Sequence, residues 1–436
     1  MSERALVFGF RILTGAGRPR LRRLALLCSV LLLTACVTPA WKTPMPAAQS
    51  PFMERLAIAT DGDLTVRTGV PSREEAEAIF GTSLYADRIQ PVWIEVQNRG
   101  AASWVLLQPG IDPHYFSPLE VAYQRHAGDA ETRRAMDRFF YHEAFHGPVG
   151  PGETVSGFVF TNVNEGAKAV QIDLLADHQV KSFTLVVPVP GLVTDVSRVD
   201  LANLYPEIDN LETESQLRER LAALPCCTTD REGDANGDPL NIVMVGERSH
   251  IFAALVRRDW HQTEVTYSKS AMKTAFSFLF GSRYLYSPIS PLYVFGRPQD
   301  IGLQKARQSI SLRNHMRLWR APFDFRGRHV YVGQISRDVG VRFSARTITT
   351  HAIDPDIDET RDGLVADLAY SQALAKIAWV RGSQASTLED TYYNLSPDPY
   401  YSDGLRAVMF FEERPTRLSE IEILDWAPHR AGDVLR

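Results

Sequence analysis

The chain has 436 residues, of which 44% are hydrophobic, 23% charged and 10% aromatic, and these proportions exclude a disordered, collagen-like or polytopic membrane protein. Its 47 basic and 52 acidic residues give a formal net charge of -5, so no nucleic-acid partner is expected. Four cysteines are too few for a disulfide scaffold, and the length predicts two or three domains.

The amino-terminal segment predicts export across the cytoplasmic membrane. Four arginines between residues 18 and 23 precede the apolar run 24–33, and small residues then lead to Cys36. A basic start, a short apolar run and a small-residue cleavage site define a secretory signal peptide, here over residues 1–35. The alternatives are a cytoplasmic protein with an apolar start and an uncleaved membrane anchor.

Cys36 and the residues before it resemble the lipobox of bacterial lipoproteins. The resemblance implies that the Cys36 thiol receives a diacylglyceryl group and that its freed amine is acylated, with palmitate as the expected chain. Val37, rather than an aspartate, resembles the pattern of lipoproteins passed on to the outer membrane. We therefore expect a lipid-anchored protein of the bacterial cell envelope, at the outer membrane and facing the periplasm, with the membrane as its partner through the anchor.

Residues 36–53 are predicted to form a lipidated tether. The segment is rich in proline and small residues and has no apolar periodicity. Chains of this composition are extended linkers, which would hold the folded part of the protein off the bilayer.

Residues 54–195 predict a β-sandwich-like domain. Strands are predicted at 89–96, 103–107, 155–161, 170–175 and 183–189, helices at 72–80 and 130–145, and turns at 97–100 (hairpin type) and 162–166. Strands at this spacing are typical of an immunoglobulin-like sandwich, which serves mostly in binding or scaffolding.

One motif in this domain has the pattern of a zinc site. His142, Glu143 and His146 form an H-E-x-x-H sequence, and Glu165 follows at a spacing that zincin-like peptidases use for a third ligand. A Gly-Pro pair directly after His146 ends the predicted helix, and Glu165 lies in a predicted turn. We therefore favour solvated helix-end residues, with a zinc site as the alternative.

Residues 196–237 are predicted to be a helical and acidic linker. A charged amphipathic helix is expected at 207–224, followed by the adjacent Cys226 and Cys227 and an acidic loop at 228–239. In an oxidising compartment the two cysteines have three options: a bond to each other, a bond to another chain, or free thiols. Asp234, Asn236 and Asp238 alternate like calcium ligands, but proline follows where a calcium loop needs glycine, so a plain acidic loop is favoured.

Residues 238–412 predict an α+β domain with a mainly antiparallel sheet, and residues 413–436 a carboxy-terminal tail. The predicted strands are 240–246, 291–307, 314–323, 329–344 and 407–411, and the predicted helices are 249–260, 270–280 and 356–380, the last being the longest.

Several segments of this domain resemble the LssY carboxy-terminal domain family. They are 238–243, 288–305, 314–319 and 351–368, within a region of about 175 residues between Asp238 and Glu412. In that family the domain often follows a membrane-embedded phosphatase-like region, which this chain lacks. Because the family has no settled activity, the resemblance implies an envelope setting and no particular reaction.

Polar residues on two predicted strands form the first candidate site. Period two places His315, Arg317 and Trp319 on one face of a strand, which we expect to face a ligand or solvent. Arg297 and Gln299 alternate in the same way on the preceding strand. Because arginine offers forked donors, Arg297 and Arg317 together would suit a phosphate or carboxylate.

A second group of polar residues surrounds the start of the last predicted helix. His351 with Asp354 or Asp358 could form a general-acid/base couple. The structural alternative is that Asp354 caps the helix and that Asp358 pairs with Arg361 three residues on. This alternative is favoured for the aspartates and, more narrowly, for His315 and His351.

Two functions follow from these features. The favoured one is an envelope lipoprotein that binds or scaffolds, recognising an anionic lipid, a glycan or a protein. The alternative is a hydrolase of envelope phospholipid or a related phosphoester, using His315 or His351 with the two arginines. The sequence contains no complete catalytic motif, and no cofactor is predicted.

Overall fold

The computed structural model describes residues 41–192, 194–195, 199–201, 203–263, 289–306, 313–342, 350–382 and 384–427, without the side chains of residues 341, 342, 350 and 351. The predicted signal peptide, Cys36 and the predicted helix 270–280 lie outside the described residues. The described part is an α+β protein with antiparallel sheets, as the sequence predicts.

Two antiparallel sheets form the first domain. Their strands are β1 (Ala57–Asp61), β2 (Leu64–Gly69), β3 (Ile89–Asn98), β4 (Val105–Leu106), β5 (Thr154–Asn162), β6 (Gly166–Ala176) and β7 (Gln179–Val189). One sheet has the order β1-β2-β3-β5 and the other the order β4-β6-β7. Alternate side chains of both sheets, among them Val66, Ile94, Ile172 and Leu185, share one buried core. The period-two pattern of these strands thus reflects burial between two sheets.

The hairpin predicted at 97–100 is wrong. β3 pairs with β2 and β5, and the chain then crosses to the second sheet, where β4 pairs with β6. The Asn98 side chain redirects the chain by donating to the carbonyls of Ala102 at 2.7 Å and Gly150 at 2.8 Å. Residues 162–166 likewise connect the two sheets and do not close a hairpin.

Three helices pack against the first sheet: α1 (Arg73–Phe80), α2 (Pro118–Gln124) and α3 (Ala130–Glu143). α1 begins with a capping box formed by Ser72 and Glu75. Phe80 stacks on Phe140 of α3 with ring centroids 5.2 Å apart. The helix predicted at 72–80 is confirmed, and the one predicted at 130–145 ends at Glu143.

Part of the predicted tether belongs to the folded domain. The Trp41 indole donates to the Phe80 carbonyl at 2.8 Å, and the Lys42 amide donates to the Gly81 carbonyl at 3.1 Å. Phe52 is 1% exposed, and short 3₁₀ helices span Ala47–Gln49 and Pro51–Arg55. The prediction of a free linker over 36–53 is therefore wrong for residues 41–53, because their aromatic side chains pack on α1 and on the sheet.

A ten-stranded sheet organises the second domain. The remaining strands among the described residues are β8 (Asp209–Leu211), β9 (Cys227–Thr229), β10 (Asn236–Pro239), β11 (Ile242–Val245), β12 (His261–Gln262), β13 (Tyr293–Val294), β14 (Arg297–Pro298), β15 (Ile301–Ala306), β16 (Arg313–Phe325), β17 (Arg328–Arg342), β18 (Thr350–Ile353), β19 (Leu374–Arg381), β20 (Tyr392–Tyr393), β21 (Pro399–Tyr400), β22 (Leu405–Phe411) and β23 (Glu422–Ile423). The sheet has the order β12-β15-β16-β17-β11-β22-β19-β23, and β18 and β8 pair with β17 and β16. β11 and β22 run parallel, whereas β15, β16, β17 and β11 form antiparallel pairs.

Both faces of this sheet are covered. The α-helices that the structure describes in this domain are α4 (Glu214–Ala222), α5 (Arg248–Arg257) and α6 (Ile357–Ala369). On one face Met316 and Leu318 share a core with Leu255 of α5 and Leu364 of α6. On the other face Trp319 shares a core with Leu217 of α4. None of the described helices is both long enough and apolar enough to cross a membrane.

Four element predictions in this part of the chain need correction. The helix predicted at 207–224 is the strand β8 followed by α4, because Thr213 and Gln216 form a capping box that starts the helix at Glu214. The helix predicted at 356–380 ends at Ala369, and 374–381 form the buried strand β19. The acidic loop predicted at 228–239 contributes β9 and β10, and the strand predicted at 291–307 is divided into β13, β14 and β15.

Candidate functional site

The strand β16 shows the predicted alternation, but both of its faces are buried. Met316 and Leu318 lie in the core under α5 and α6, and Trp319 lies in the opposite core. His315 is 7% exposed and Arg317 5% exposed. The expectation that this face is directed at solvent is therefore wrong, because the sheet is covered on both sides.

A buried polar network joins β15, β16 and β17 on this face. Arg317 donates to the Gln334 side-chain carbonyl at 2.8 Å, and the Gln334 amide donates to the Ser336 hydroxyl at 2.8 Å. Arg313 donates to Asp338 at 3.0 Å and to Gln304. Antiparallel pairing places Gln304, His315 and Ser336 side by side, so the network follows from the register of the three strands.

Within this network, Ser336, His315 and Asp338 lie in the order of a nucleophile, a base and an orienting carboxylate. The Ser336 hydroxyl lies 2.8 Å from His315 Nε2, and His315 Nδ1 lies 3.1 Å from Asp338 Oδ1. The Nδ1 to Oδ1 contact lacks the angle of a hydrogen bond, and Ser336 is 0% exposed. The arrangement has the connectivity of a catalytic triad without a surface-exposed nucleophile.

Arg297 and Arg317 do not converge on a shared anion position. Arg317 donates to the Ser290 carbonyl through Nε at 3.0 Å and through a terminal nitrogen at 2.9 Å. Burial lowers the pKa of Arg317 to about 10. Nearby carboxylates act in the opposite direction, and Asp238 has the largest effect among them. Its fork is therefore already occupied by protein acceptors.

Arg297 has partners both in its own turn and in a distant segment of the chain. It donates to both oxygens of Asp300 at 2.9 Å and to the Tyr205 hydroxyl at 2.6 Å. Burial opposes its charge, but Asp300 and Tyr205 outweigh that effect and raise the pKa of Arg297. The Gln299 side chain, 5% exposed, accepts from the Leu292 amide at 3.1 Å and donates to Asp195 at 3.3 Å.

The aspartates at the start of α6 have structural contacts. Asp356 caps the helix by accepting from the Glu359 amide at 3.0 Å, so the cap predicted for Asp354 lies two residues later. Asp354 accepts from the Asp356 amide at 3.2 Å and lies 3.7 Å from Arg337. His351 belongs to β18, where its backbone lies opposite Val341 of β17. The side chain of His351 lies outside the described part of the chain.

Asp358 belongs to a buried ion cluster around Arg361. The predicted pair between these residues is present at 3.1 Å, and Arg361 also binds both oxygens of Asp403 at 2.8 and 3.0 Å. Asp358 accepts from the Ser402 hydroxyl at 3.0 Å and from the Asp403 amide at 2.6 Å. Burial raises the pKa of Asp358 to about 6, although Arg361 acts in the opposite direction. The cluster ties α6 to the loop before β22.

The H-E-x-x-H residues do not share one helix. α3 ends at Glu143, and His146 lies beyond it with Nε2 2.5 Å from the Tyr141 carbonyl. Glu165 pairs with Arg73 at 3.0 Å. Across the described ranges, no group of three His, Cys, Asp or Glu side chains is arranged to hold a metal ion.

Cys226 and Cys227 form a disulfide with each other, with Cα atoms 3.7 Å apart. Of the three options left open by the sequence, this is the bond between neighbours. In the adjacent loop Asp230 accepts from the amides of Gly233 at 2.8 Å and Asp234 at 2.9 Å, and Asp238 accepts from Asn394 at 2.9 Å. These bonds give the acidic loop a structural role.

Two cavities lie between the domains. The larger has a volume of 670 Å³ and is bounded by β7, the segment after it, the start of α5, and β17. The smaller has a volume of 380 Å³ and lies beside Arg257 and Tyr370. Neither includes a residue of the polar network around His315. The sequence did not reveal the larger cavity, because its walls come from segments that are distant in the chain, such as β7, the start of α5 and β17.

Fold and geometry together define a two-domain α+β protein with polar groups buried in its second sheet and a cavity between its domains. Residues 220–405 match the family model described as LssY C-terminus. This match confirms the resemblance inferred from the sequence, although it begins earlier than Asp238, within α4, and ends at the first residue of β22. A comparison with curated proteins gave no match.

Ser336 and Asp338 were missed by sequence analysis. They occupy alternate positions on β17, the same face that carries Gln334. A search for polar side chains at period two on both partner strands would have found them, but their pairing with His315 depends on a register that the sequence leaves open.

Proposed function

We propose that this protein is a lipid-anchored component of the bacterial cell envelope that binds a ligand or partner: an anionic lipid, a glycan or a protein. The observation that carries the proposal is the 670 Å³ cavity between the domains, within the range of small-molecule sites. The buried arginines support binding in the cavity over catalysis in the second sheet. Arg297, Arg317 and Arg361 all donate to acceptors within the protein, so they are not held ready for a substrate.

The proposal includes a signal peptide over residues 1–35, lipidation of Cys36 and residence at the outer membrane. If Cys36 is lipidated, four residues separate it from Trp41, which is packed on the first domain. An extended segment of that length reaches about 15 Å. The first domain would therefore lie close to the bilayer surface, and it is proposed to be an immunoglobulin-like sandwich that serves in docking.

The anchor is tested by metabolic labelling with an alkyne palmitate analogue. The wild-type chain is expected to take up the label and to sediment with outer membranes, whereas Cys36→Ala takes up none. Cys28→Ala, which changes a cysteine within the predicted signal peptide, is the matched control and is expected to behave as wild type. Equal labelling of wild type and Cys36→Ala would exclude the anchor at this residue.

Binding is tested on the full chain purified from membranes. Solvent extraction followed by mass spectrometry is expected to find a bound lipid or glycan at about one per chain. If the ligand is a protein, native mass spectrometry is expected to find it at a stoichiometric ratio. A bare chain that also shows no change in melting temperature with envelope lipids and glycans would contradict the proposed function.

A second candidate is a hydrolase of envelope phospholipid or a related phosphoester, and the order Ser336, His315, Asp338 is the observation that favours it. In that case Ser336 would attack the ester carbon or phosphorus and pass its proton to His315 Nε2; the bond to the leaving alcohol would break as that alcohol takes the proton from His315, and water would then hydrolyse the ester formed on Ser336.

A fluorophosphonate probe separates the two candidates, because it reacts only with an activated and accessible serine. The hydrolase predicts labelling of the wild type that is lost in Ser336→Ala and kept in Ser156→Ala, an exposed strand serine of the first domain. The binding function predicts an unlabelled wild type, with Ser336 acting only as a hydrogen-bonding member of the buried network.

A further inference from the structure

The cavity between the domains has one strongly apolar side. It is formed by Val186 and Val189 of β7, Leu192, Phe252 of α5 and the ring of Tyr331 on β17. Phe252 and Tyr331 are 3% and 1% exposed, so their positions are fixed by the two domains. A surface of this kind favours a hydrocarbon chain over a sugar or a peptide backbone, since it offers few hydrogen-bonding groups.

Polar groups meet at the start of α5, on the same cavity. Arg248 and Ser249, the first residues of this ten-residue helix, line it, and no side chain caps the helix at Glu247. The free amides and the dipole at a helix start attract an anion. No hydrogen bond or ion pair of the Arg248 side chain is found among the described residues, so its charge is available.

A second and independent observation is the Gln262 side chain. It lines the cavity, is 6% exposed, and its Oε1 has no hydrogen-bond partner. A buried amide oxygen left in this state is costly unless a ligand supplies a donor, as the glycerol hydroxyl of a lysophosphatidate would and a carboxylate would not. The Tyr331 hydroxyl stays protonated, because burial raises the pKa of Tyr331 to about 12, and it can therefore donate to a ligand.

The other basic groups of the cavity lie beside internal acceptors. Arg320 is bound to Asp324 and to backbone carbonyls, and Arg55 pairs with Glu75 at 2.7 Å. His329 lies 3.3 Å from Asp324. Glu247, an acidic residue, also lines the cavity next to Arg248. Among the described residues that line the cavity, Arg248 is therefore the cation left for a ligand.

We propose that this cavity binds a single-chain lipid with an anionic headgroup, a carboxylate or a phosphate, with the acyl chain between β7, Phe252 and Tyr331 and the headgroup at Arg248 and the start of α5. This inference rests on the proposed binding function and names its site and ligand class. A fatty acid and a lysophosphatidic acid share the single chain and the anionic headgroup, only the second also carries a hydroxyl that can donate to Gln262, and the test distinguishes them.

The test is calorimetric titration of the full chain with oleate, 1-oleoyl lysophosphatidate and neutral monoolein, all below their critical micelle concentrations. One of the anionic lipids is expected to bind one per chain, at least tenfold more tightly than monoolein. Which of the two binds more tightly identifies the headgroup.

Two variants locate the site. Arg248→Ala is expected to lower the affinity for the anionic lipid at least fivefold and to leave the affinity for monoolein unchanged. Leu192→Trp, which fills the cavity, is expected to lower the affinity for all three lipids. Arg231→Ala, at an exposed loop position of the second domain, is the control and should match wild type, and circular dichroism checks that each variant is folded.

Failure of this inference differs from failure of the proposed function. Wild-type affinity for the anionic lipids in both Arg248→Ala and Leu192→Trp would place the ligand elsewhere and overturn the inference, while the binding function stands. No binding of either anionic lipid by wild type also overturns it. The binding function itself fails only if the membrane-purified chain in addition carries no lipid, glycan or protein.

Discussion

Buried charges in this protein are bound to internal partners. Arg361 is 0% exposed and contacts Asp358, Asp362 and Asp403. Arg406, also 0% exposed, donates only to backbone carbonyls, including that of Leu240 at 2.8 Å, and burial lowers its pKa to about 10. Such groups cost stability when one partner is removed, because the other is left buried and unpaired.

The buried Asp358 carboxyl is expected to make the free energy of unfolding depend on pH. Burial raises its pKa to about 6 in the folded chain, against about 3.9 for an unfolded aspartate. The folded state thus holds the proton more tightly, so the contribution is fully present below pH 4 and is lost as the pH rises through about 6. We expect the free energy of unfolding of wild type, relative to Asp358→Asn, to fall by up to about 3 kcal/mol between pH 4 and 7.

Urea denaturation at several pH values measures this difference. Asp362→Asn is the matched control, since it also removes a carboxylate that contacts Arg361 but leaves Asp358 in place. The control is expected to keep the wild-type pH profile. A difference between wild type and Asp358→Asn that does not change between pH 4 and 7 would show that Asp358 has an ordinary pKa.

At the scale of the elements, the start of α6 shows how a cap is chosen. Asp354, Asp356 and Asp358 are all acidic, and the sequence alone favoured Asp354, next to Pro355. In the structure Asp356 accepts from the Glu359 amide, while Asp354 is held near Arg337. Asp356 is therefore the aspartate whose carboxylate meets a first-turn amide of α6.

Replacing the two aspartates separately checks this assignment. Asp356→Ala is expected to lower the free energy of unfolding by about 1 kcal/mol, because the first-turn amide loses its acceptor. Asp354→Ala is the control at the same helix end and is expected to cost less than about 0.5 kcal/mol, as a partly exposed pair contributes little. Urea denaturation at pH 7 measures both, and the reverse order would return the cap to Asp354.

Local patterns predicted many of the elements but not how distant segments meet. The alternation from His315 to Trp319 gave the strand and its two faces correctly, because it depends only on period two. It could not show that the polar face is buried, since Ser336 and Asp338 come from another strand. The helix predicted through residue 380 failed for a related reason: the alternation of β19 was read as a helical pattern, and its burial in the sheet was not visible locally.

At the scale of the molecule, Arg257 connects the two domains. It lies on α5 and donates to Thr184 of β7 at 3.0 Å and to Gln171 of β6, as well as to the Ser371 carbonyl at 3.2 Å within its own domain. These polar contacts lie beside the smaller cavity, and the larger one opens along the same helix.

Removing this side chain is expected to loosen the coupling between the domains. Arg257→Ala should lower the stability by about 1 kcal/mol and separate the thermal unfolding into two transitions. Arg258→Ala is the matched control, because its neighbour Arg258 pairs with Asp367 inside the second domain at 2.8 Å. Differential scanning calorimetry measures both variants, and an equally separated profile for Arg258→Ala would remove Arg257 from this role.

The parallel pairing of β11 with β22 has a consequence for cutting the gene into fragments. β22 lies between β11 and β19, near the middle of the sheet order, although it comes late in the chain. The family match ends at Leu405, so a fragment trimmed to residues 220–405 would lose the rest of this strand and divide the sheet into two parts. An expression clone of the second domain alone therefore needs to extend at least through Phe411, so that β22 is complete.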